Sequence, residues 1–297
     1  MIPEMEMWML LILGSAVALG LYDVSKKHVV AGNPVMPVLF FTTLCGSGFY
    51  LLISWLSGAI PAYLGLSTRF HLLVIGKTFL VAGSWVAIYC ALRELPISIV
   101  SPIRASSPFW VCIGGVLLYH EIPAPLQAAG MVLILIGYYL FSVAGNLEGI
   151  SFRRHRGIHL VFIGTLLGAC SGLYDKYLLG RMQLSKDAMQ FWFSLDMVIL
   201  LGLAWLAVRL VRGKGPAVRW RWSIPVTGIL LIVADWLYFY SLSFPDSRIS
   251  LISLLRRCSV IVSFTAGSIF FHDVNLKRKA VALGVILLGV MLLIFAR

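Results

Sequence analysis

Long apolar runs, broken at intervals by short polar or basic stretches, fill this chain from end to end. A helix rises 1.5 Å per residue and crosses the hydrocarbon core of a bilayer in roughly 20 residues, so each run reads as one membrane span. The breaks predict ten spans, at 8–29, 35–57, 71–92, 96–118, 124–144, 157–180, 187–211, 222–244, 247–271 and 276–296. Several carry internal Gly or Pro, notably Pro102 and Pro108 in the fourth. Lipid tolerates such breaks only where the freed backbone groups meet protein or a wet cavity.

Composition closes off other classes. Sixty per cent of the 297 residues are apolar and 12% are charged, with a mean hydropathy of +0.94. That leaves too little charge to cover a soluble domain. The opening Met1-Ile2-Pro3-Glu4-Met5-Glu6 is acidic, whereas a signal peptide begins with positive charge, so the first run is expected to be a retained span. The net charge of +12 lies mostly in the loops. Fourteen Lys and Arg follow odd-numbered spans against five on the other side, tails included. The positive-inside rule accounts for this bias. It predicts cytoplasmic odd loops and outside tails, and it leaves no call for a nucleic acid partner. Trp8, Trp55, Trp220 and Trp222 fall near span ends, where interfacial anchors are expected. Cys45, Cys90, Cys112, Cys170 and Cys258 lie inside apolar runs without metal or disulfide spacing and read as packing residues.

The chain also repeats itself. Gly20-Leu21-Tyr22-Asp23 recurs 152 residues later as Gly172-Leu173-Tyr174-Asp175. Ser98, Ser101 and Arg104 recur at the same offset as Ser250, Ser253 and Arg256, His120-Glu121 as His272-Asp273, and Gly137 as Gly289. With a one-residue slip, Trp85 and Tyr89 align with Trp236 and Tyr240. The expected organisation is a five-helix repeat at 1–145, a basic linker at 146–156 and a second five-helix repeat at 157–297. Five is odd, so the second copy must enter the membrane inverted. Inverted repeats are the usual construction of secondary transporters, whose halves rock around a site near the midplane.

Ten spans in two five-span halves, each closing on a short acidic turn before its last helix, resemble the drug/metabolite transporter superfamily, and within it the EamA-type permeases. The resemblance covers essentially the whole chain. It implies an all-α membrane fold and transport of small organic solutes, often by export or exchange. A bacterial cytoplasmic (inner) membrane is the expected location, with a monomer or homodimer as the working unit.

Ionisable groups at membrane depth are costly and point to function by default. Here they are Asp23, Lys77, Arg104, Asp175, Lys176, Asp196, Asp235, Arg256 and Arg257. Mutual neutralisation between helices is the plain reading. Arg104 and Arg256 go beyond it, because each is deep in its span and the repeat makes them mates. Ser101 and Ser253 lie three residues earlier on the same helical side. A guanidinium is a planar fork of donors suited to carboxylate or phosphate, so the two arginines read as a clamp for an anion, with the serines as supporting donors. The basic pair Arg256-Arg257 is similar to what triose-phosphate translocators, another branch of the superfamily, use to hold phosphate. Arg257, about 100° around the helix, is expected to face a neighbouring helix, with Asp196 or Asp235 as partner. Trp85, Tyr89, Tyr238 and Tyr240 are candidates for lining the path, and Asp235, where the first half has Ser84, could take a substrate amine. Asp23, Asp175, Lys176 and Asp196 are candidates for a gate or for coupling to a proton.

The function expected is a secondary active transporter, an exporter or exchanger of a small organic anion or zwitterion working by alternating access. Its partners would be the substrate, the bilayer and either a coupling proton or a counter-substrate. A flippase for a phosphorylated lipid carrier is the alternative. No cofactor, metal or nucleotide-binding loop is indicated, and the two acidic turns lack a nucleophile or metal-ligand cluster of the kind an enzyme needs.

Overall fold

The computed structural model describes residues 4–119, 123–178, 182, 184–213, 217–242, 244, 252 and 255–295; among these there is no strand. The helices are α1 (Glu4–Val30), α2 (Val35–Leu56), α3 (Thr68–Glu94), α4 (Ile97–Ala105), α5 (Ser107–Tyr119), α6 (Pro125–Asn146), α7 (Arg156–Lys176), α8 (Lys186–Arg212), α9 (Ser223–Leu242), α10 (Ser259–Phe271) and α11 (Leu276–Phe295). A short 3₁₀ turn at Ile60–Tyr63 lies between α2 and α3. Six of these helices, α1, α2, α3, α6, α7 and α8, are long and apolar enough to cross a membrane.

Local chemistry sets the ends. Ser67 caps α3 by accepting from the Phe70 amide at 3.3 Å, and Pro125 opens α6 where its missing N–H costs nothing. Gly213, at φ +76°, ends α8 in the left-handed region that favours glycine. The expected fourth span is two helices. Pro102 cannot donate to the ladder, and the chain breaks at Ser106, whose hydroxyl donates to the Ile103 carbonyl at 2.6 Å. Pro108 then stands in the first turn of α5, where helices accept proline. The ninth span is also broken, with a turn at Cys258 just before α10.

Packing is reciprocal. α1 lies against α9 as α7 does against α3, and α2 against α9 as α8 does against α3. α6 packs on α11 and α4 on α10. At the α6–α11 contact the reciprocity reaches single residues. Gly137 lies under Ile286 and Ala282, while Gly289 lies under Ile134 and Gly130; each pairing is the other shifted by 152. Small residues let helix backbones approach in lipid, where apolar burial gives no drive between helices. The closest approach to backbone joins α2 and α9, where a Cβ on Gly228 would lie 2.3 Å from the Thr42 carbonyl oxygen. Cross-helix hydrogen bonds add to this, from Ser15 to the Ala234 carbonyl (2.6 Å), Ser84 to Gly164 (2.6 Å) and Ser47 to Ser194 (3.1 Å).

One end of the bundle is sealed by polar contacts. Lys279, fully buried, reaches both oxygens of Glu148 (2.8 and 2.9 Å) and the Ser98 hydroxyl (3.1 Å). Asp273 accepts from the Ser98 amide at 3.1 Å, and Lys27 donates to the Leu92 and Leu95 carbonyls. The turn between α10 and α11 holds two left-handed non-glycine residues, His272 and Asn275. Asn275 ties that turn down by donating to Glu148. Trp8, expected at the interface, is instead buried against Ile12 and Ile252, whereas Trp55, Trp220 and Trp222 are exposed.

Candidate functional site

Three cavities share lining residues and form one polar tract. The central one, about 240 Å³, lies among α1, α2, α3, α7, α8 and α9 and is lined by Tyr22, Thr42, Ser47, Lys77, Trp85, Tyr89, Asp175, Gln190, Ser194 and Asp235. A second, about 350 Å³, is bounded by Asp23, Ser101, Arg104, Tyr238, Arg256 and Arg257. Between them lies a third, about 270 Å³, that shares Tyr22, Trp85 and Tyr89 with the first and Arg104 with the second.

Charge pairing organises the tract. One oxygen of Asp23 meets Lys26 at 2.5 Å, one helical turn away on α1, and Arg104 of α4 at 2.6 Å. Lys26 also stands 4.1 Å over the Tyr22 ring. Arg256 is in direct contact with Asp235 of α9, and its guanidinium lies 4.1 Å over the Tyr238 ring, a cation–π arrangement that still leaves donors free. Lys77 on α3 reaches Asp175 on α7 at 2.8 Å. That Asp175 oxygen makes no hydrogen bond of acceptable geometry, so the pair is held by charge rather than alignment. Arg257 meets no carboxylate among the described residues. Among the described residues, three cations (Arg104, Arg256, Arg257) line the arginine cavity against one acid (Asp23), and counting their neighbours Lys26 and Asp235 leaves the same excess of two positive charges.

The residues singled out in the sequence divide as follows. Arg104, Arg256 and Ser101 come together on one cavity, joined by Tyr238. Trp85 and Tyr89 line the central and linking cavities, and Asp235 and Asp175 line the central one. Ser253 lies outside the described residues, as do His120 and Glu121; Lys176 ends α7, and its side chain is not among those described. Asp196 lies on α8 away from all three cavities, one of its oxygens buried without a hydrogen-bond partner among the described residues.

Two expectations change. Tyr240 and Trp236 stack on each other at 5.5 Å on the outer surface, 48% and 58% exposed, away from the tract. The one-residue slip that made them mates of Tyr89 and Trp85 rotates them about 100° around the helix. The unslipped mate of Tyr89 is Ser241, and both are buried. Arg257, expected to turn toward a neighbouring helix, lines the same cavity as Arg256. The turn at Cys258 interrupts the helix there, so the 100° step of a regular helix does not decide its direction. Sequence reasoning passed over the hydroxyls of Thr42, Ser47 and Ser194, because Ser and Thr in an apolar helix equally serve to bond their own backbone, as Thr42 does to Val38 and Leu39.

A bundle of apolar helices around a charged, internal polar tract defines a polytopic membrane protein. The EamA-like transporter family model matches residues 6–143. Those residues, just under half of the chain, are similar to that family of membrane transporters. A solved crystal structure of a protein is similar over 96% of this chain and 96% of its own, with a TM-score of 0.64 and 14% identity. At that identity the likeness is one of fold. No curated protein matches the sequence.

Proposed function

We propose that the protein is a secondary active transporter, an exporter or exchanger of a small organic anion or zwitterion, working by alternating access between two inverted five-helix repeats, 1–145 and 157–297. The observation that carries this reading is the arginine cavity, in which Arg104 from one half and Arg256 and Arg257 from the other surround a space of about 350 Å³ with two positive charges in excess among the described residues. A guanidinium in a low-dielectric site is held by an acidic group far more strongly than in water, and the fork geometry favours carboxylate or phosphate. Ser101 adds a donor. Asp235, on the central cavity, provides the acceptor a zwitterion's ammonium needs once Arg256 turns to the substrate. Asp23 and Asp175, each beside a lysine, are the candidates for coupling to a proton or counter-substrate.

Counterflow in liposomes tests this. Vesicles preloaded with unlabelled mono- and dicarboxylates, phosphorylated metabolites or amino acids are exposed to trace labelled solute of the same class. The expected outcome is accumulation of an anionic or zwitterionic solute, lost in Arg256→Gln. Accumulation of cations alone, or movement only of a fluorescent phospholipid between leaflets, overturns the reading; the second outcome is what a lipid flippase gives.

A further inference from the structure

A second basic cavity, about 680 Å³, opens at the end of the bundle where α3 and α8 finish and α2 and α7 begin. Three helices each bring one arginine to it: Arg93 from the last turn of α3, Arg156 from the first residue of α7 and Arg209 from the last turn of α8. Among the described residues none of the three has an acid or hydrogen-bond partner. Glu94 is the single acid on the wall among the described residues, so two of their positive charges are unbalanced. The polarity is layered. Trp205 lies one turn below Arg209, about 6 Å deeper along the helix, and Cys90 about 4.5 Å below Arg93. Trp205 is braced by Phe40 at 5.4 Å and Phe41 at 5.6 Å, which gives an aromatic wall beneath a cationic rim. Val208 and Met36 add apolar lining beside the rim.

We infer that this cavity binds the headgroup of an anionic phospholipid, with the three arginines around the phosphate and the glycerol and first acyl carbons against Trp205 and Val208. The rim stands at helix ends, which is headgroup depth in a bilayer, and basic pockets between spans are suited to anionic headgroups. The apolar lower wall separates this occupant from a soluble phosphate, which would leave most of 680 Å³ and the whole aromatic wall unfilled. The site is separate from the arginine cavity of the transport tract and shares no lining residue with it. It stands whether or not the transport reading does.

The test uses the full-length protein in neutral detergent with phosphatidylglycerol, phosphatidylcholine or inorganic phosphate added. A ligand of the native state raises the melting temperature by mass action. Phosphatidylglycerol is expected to raise it and to slow maleimide labelling at Cys90 several-fold, read by peptide mass spectrometry, while the other two do neither. An Arg93→Gln/Arg156→Gln/Arg209→Gln chain is expected to melt as the parent does without lipid and to lose both responses. Arg209→Gln alone, a change at one exposed helix end, is expected to weaken them. Equal protection by phosphatidylcholine would reduce the cavity to ordinary lipid annulus. Equal protection by inorganic phosphate would make it a soluble-anion site. Undiminished responses in the triple variant would remove the arginines from it. Each of these three results overturns the inference.

Discussion

Asp23 offers one carboxylate oxygen to two cations, Lys26 and Arg104, in a buried setting, and that asymmetry separates a structural role from a transport role. Removing one partner of a buried pair commonly costs about 3–5 kcal/mol, because the other charge is left uncompensated. Arg104→Ala does not orphan Asp23, since Lys26 remains 2.5 Å away. Its expected effect is therefore near-native melting with transport abolished. Asp23→Ala orphans both a lysine only 2% exposed and Arg104, so it should lose most of that 3–5 kcal/mol. Melting and liposome uptake measured together on the two variants decide; full transport by Arg104→Ala would take the arginine out of the site. At this scale the sequence was partly readable. The duplicated, deep positions of Arg104 and Arg256 mark them as unusual, and Asp23–Lys26 follows from helical spacing. That Arg104 pairs with an aspartate 81 residues earlier, or that Lys279 is buried on Glu148, depends on helix packing. Lys279 in particular reads as one more basic loop residue until α11 is set against α4 and the α6–α7 linker.

Helices were the most legible level, because a span needs only length and hydropathy. The run at 35–57 becomes Val35–Leu56, 71–92 becomes Thr68–Glu94 and 187–211 becomes Lys186–Arg212. All the additions at helix ends but Phe70 are polar or charged residues that continue the helical hydrogen bonding, which hydropathy cannot register. Which glycines matter was not readable. Gly20 and Gly172 occupy matching places in the repeated motif, yet a Cβ on Gly20 would lie 2.5 Å from Val262 Cβ, while one on Gly172 meets nothing within 4 Å. Gly228 is the most demanding contact with backbone, facing the Thr42 carbonyl oxygen and the Gly46 amide. A methyl group there must push α2 and α9 apart, since backbone cannot rotate aside as a side chain can. Overpacking of this kind costs about 1–3 kcal/mol. Gly228→Ala is expected to lower the melting temperature clearly and Gly172→Ala to leave it unchanged or slightly raised, alanine being the better helix former. Thermal unfolding of the two purified variants in one detergent is the check, and an unaffected Gly228→Ala would mean the α2–α9 contact gives way easily.

The molecule as a whole departs from its own internal repetition in one informative place. At the 152-residue offset, the contact between Asp23 and Arg104 should have a counterpart between Asp175 and Arg256. Instead Asp175 is with Lys77 and Arg256 with Asp235. The glycines agree with this. Gly20 is packed against α10, whereas its counterpart Gly172 faces open space. The end of the bundle that carries Lys27, Glu148 and Lys279 is sealed. If two inverted halves exchange roles during transport, the contact made by one half here must be made by the other in the opposite state. Asp175 would then leave Lys77 for Arg256, Arg256 would leave Asp235, and α7 would close over the ninth span as α1 now closes over α4. Both arginines change partners in such a cycle, and an anionic substrate competes with the aspartates for them. A chain carrying Asp175→Cys and Arg256→Cys, its five native cysteines replaced, should therefore react with a short bifunctional thiol reagent to give a cross-linked product in membranes. An Asp23→Cys/Arg104→Cys chain, whose contact exists in the present state, provides the reference yield. Cross-linking of the 23/104 pair with none at 175/256 over long incubation, in a chain that still folds and melts cooperatively, would show that the second contact is never visited and would end the alternating-access account.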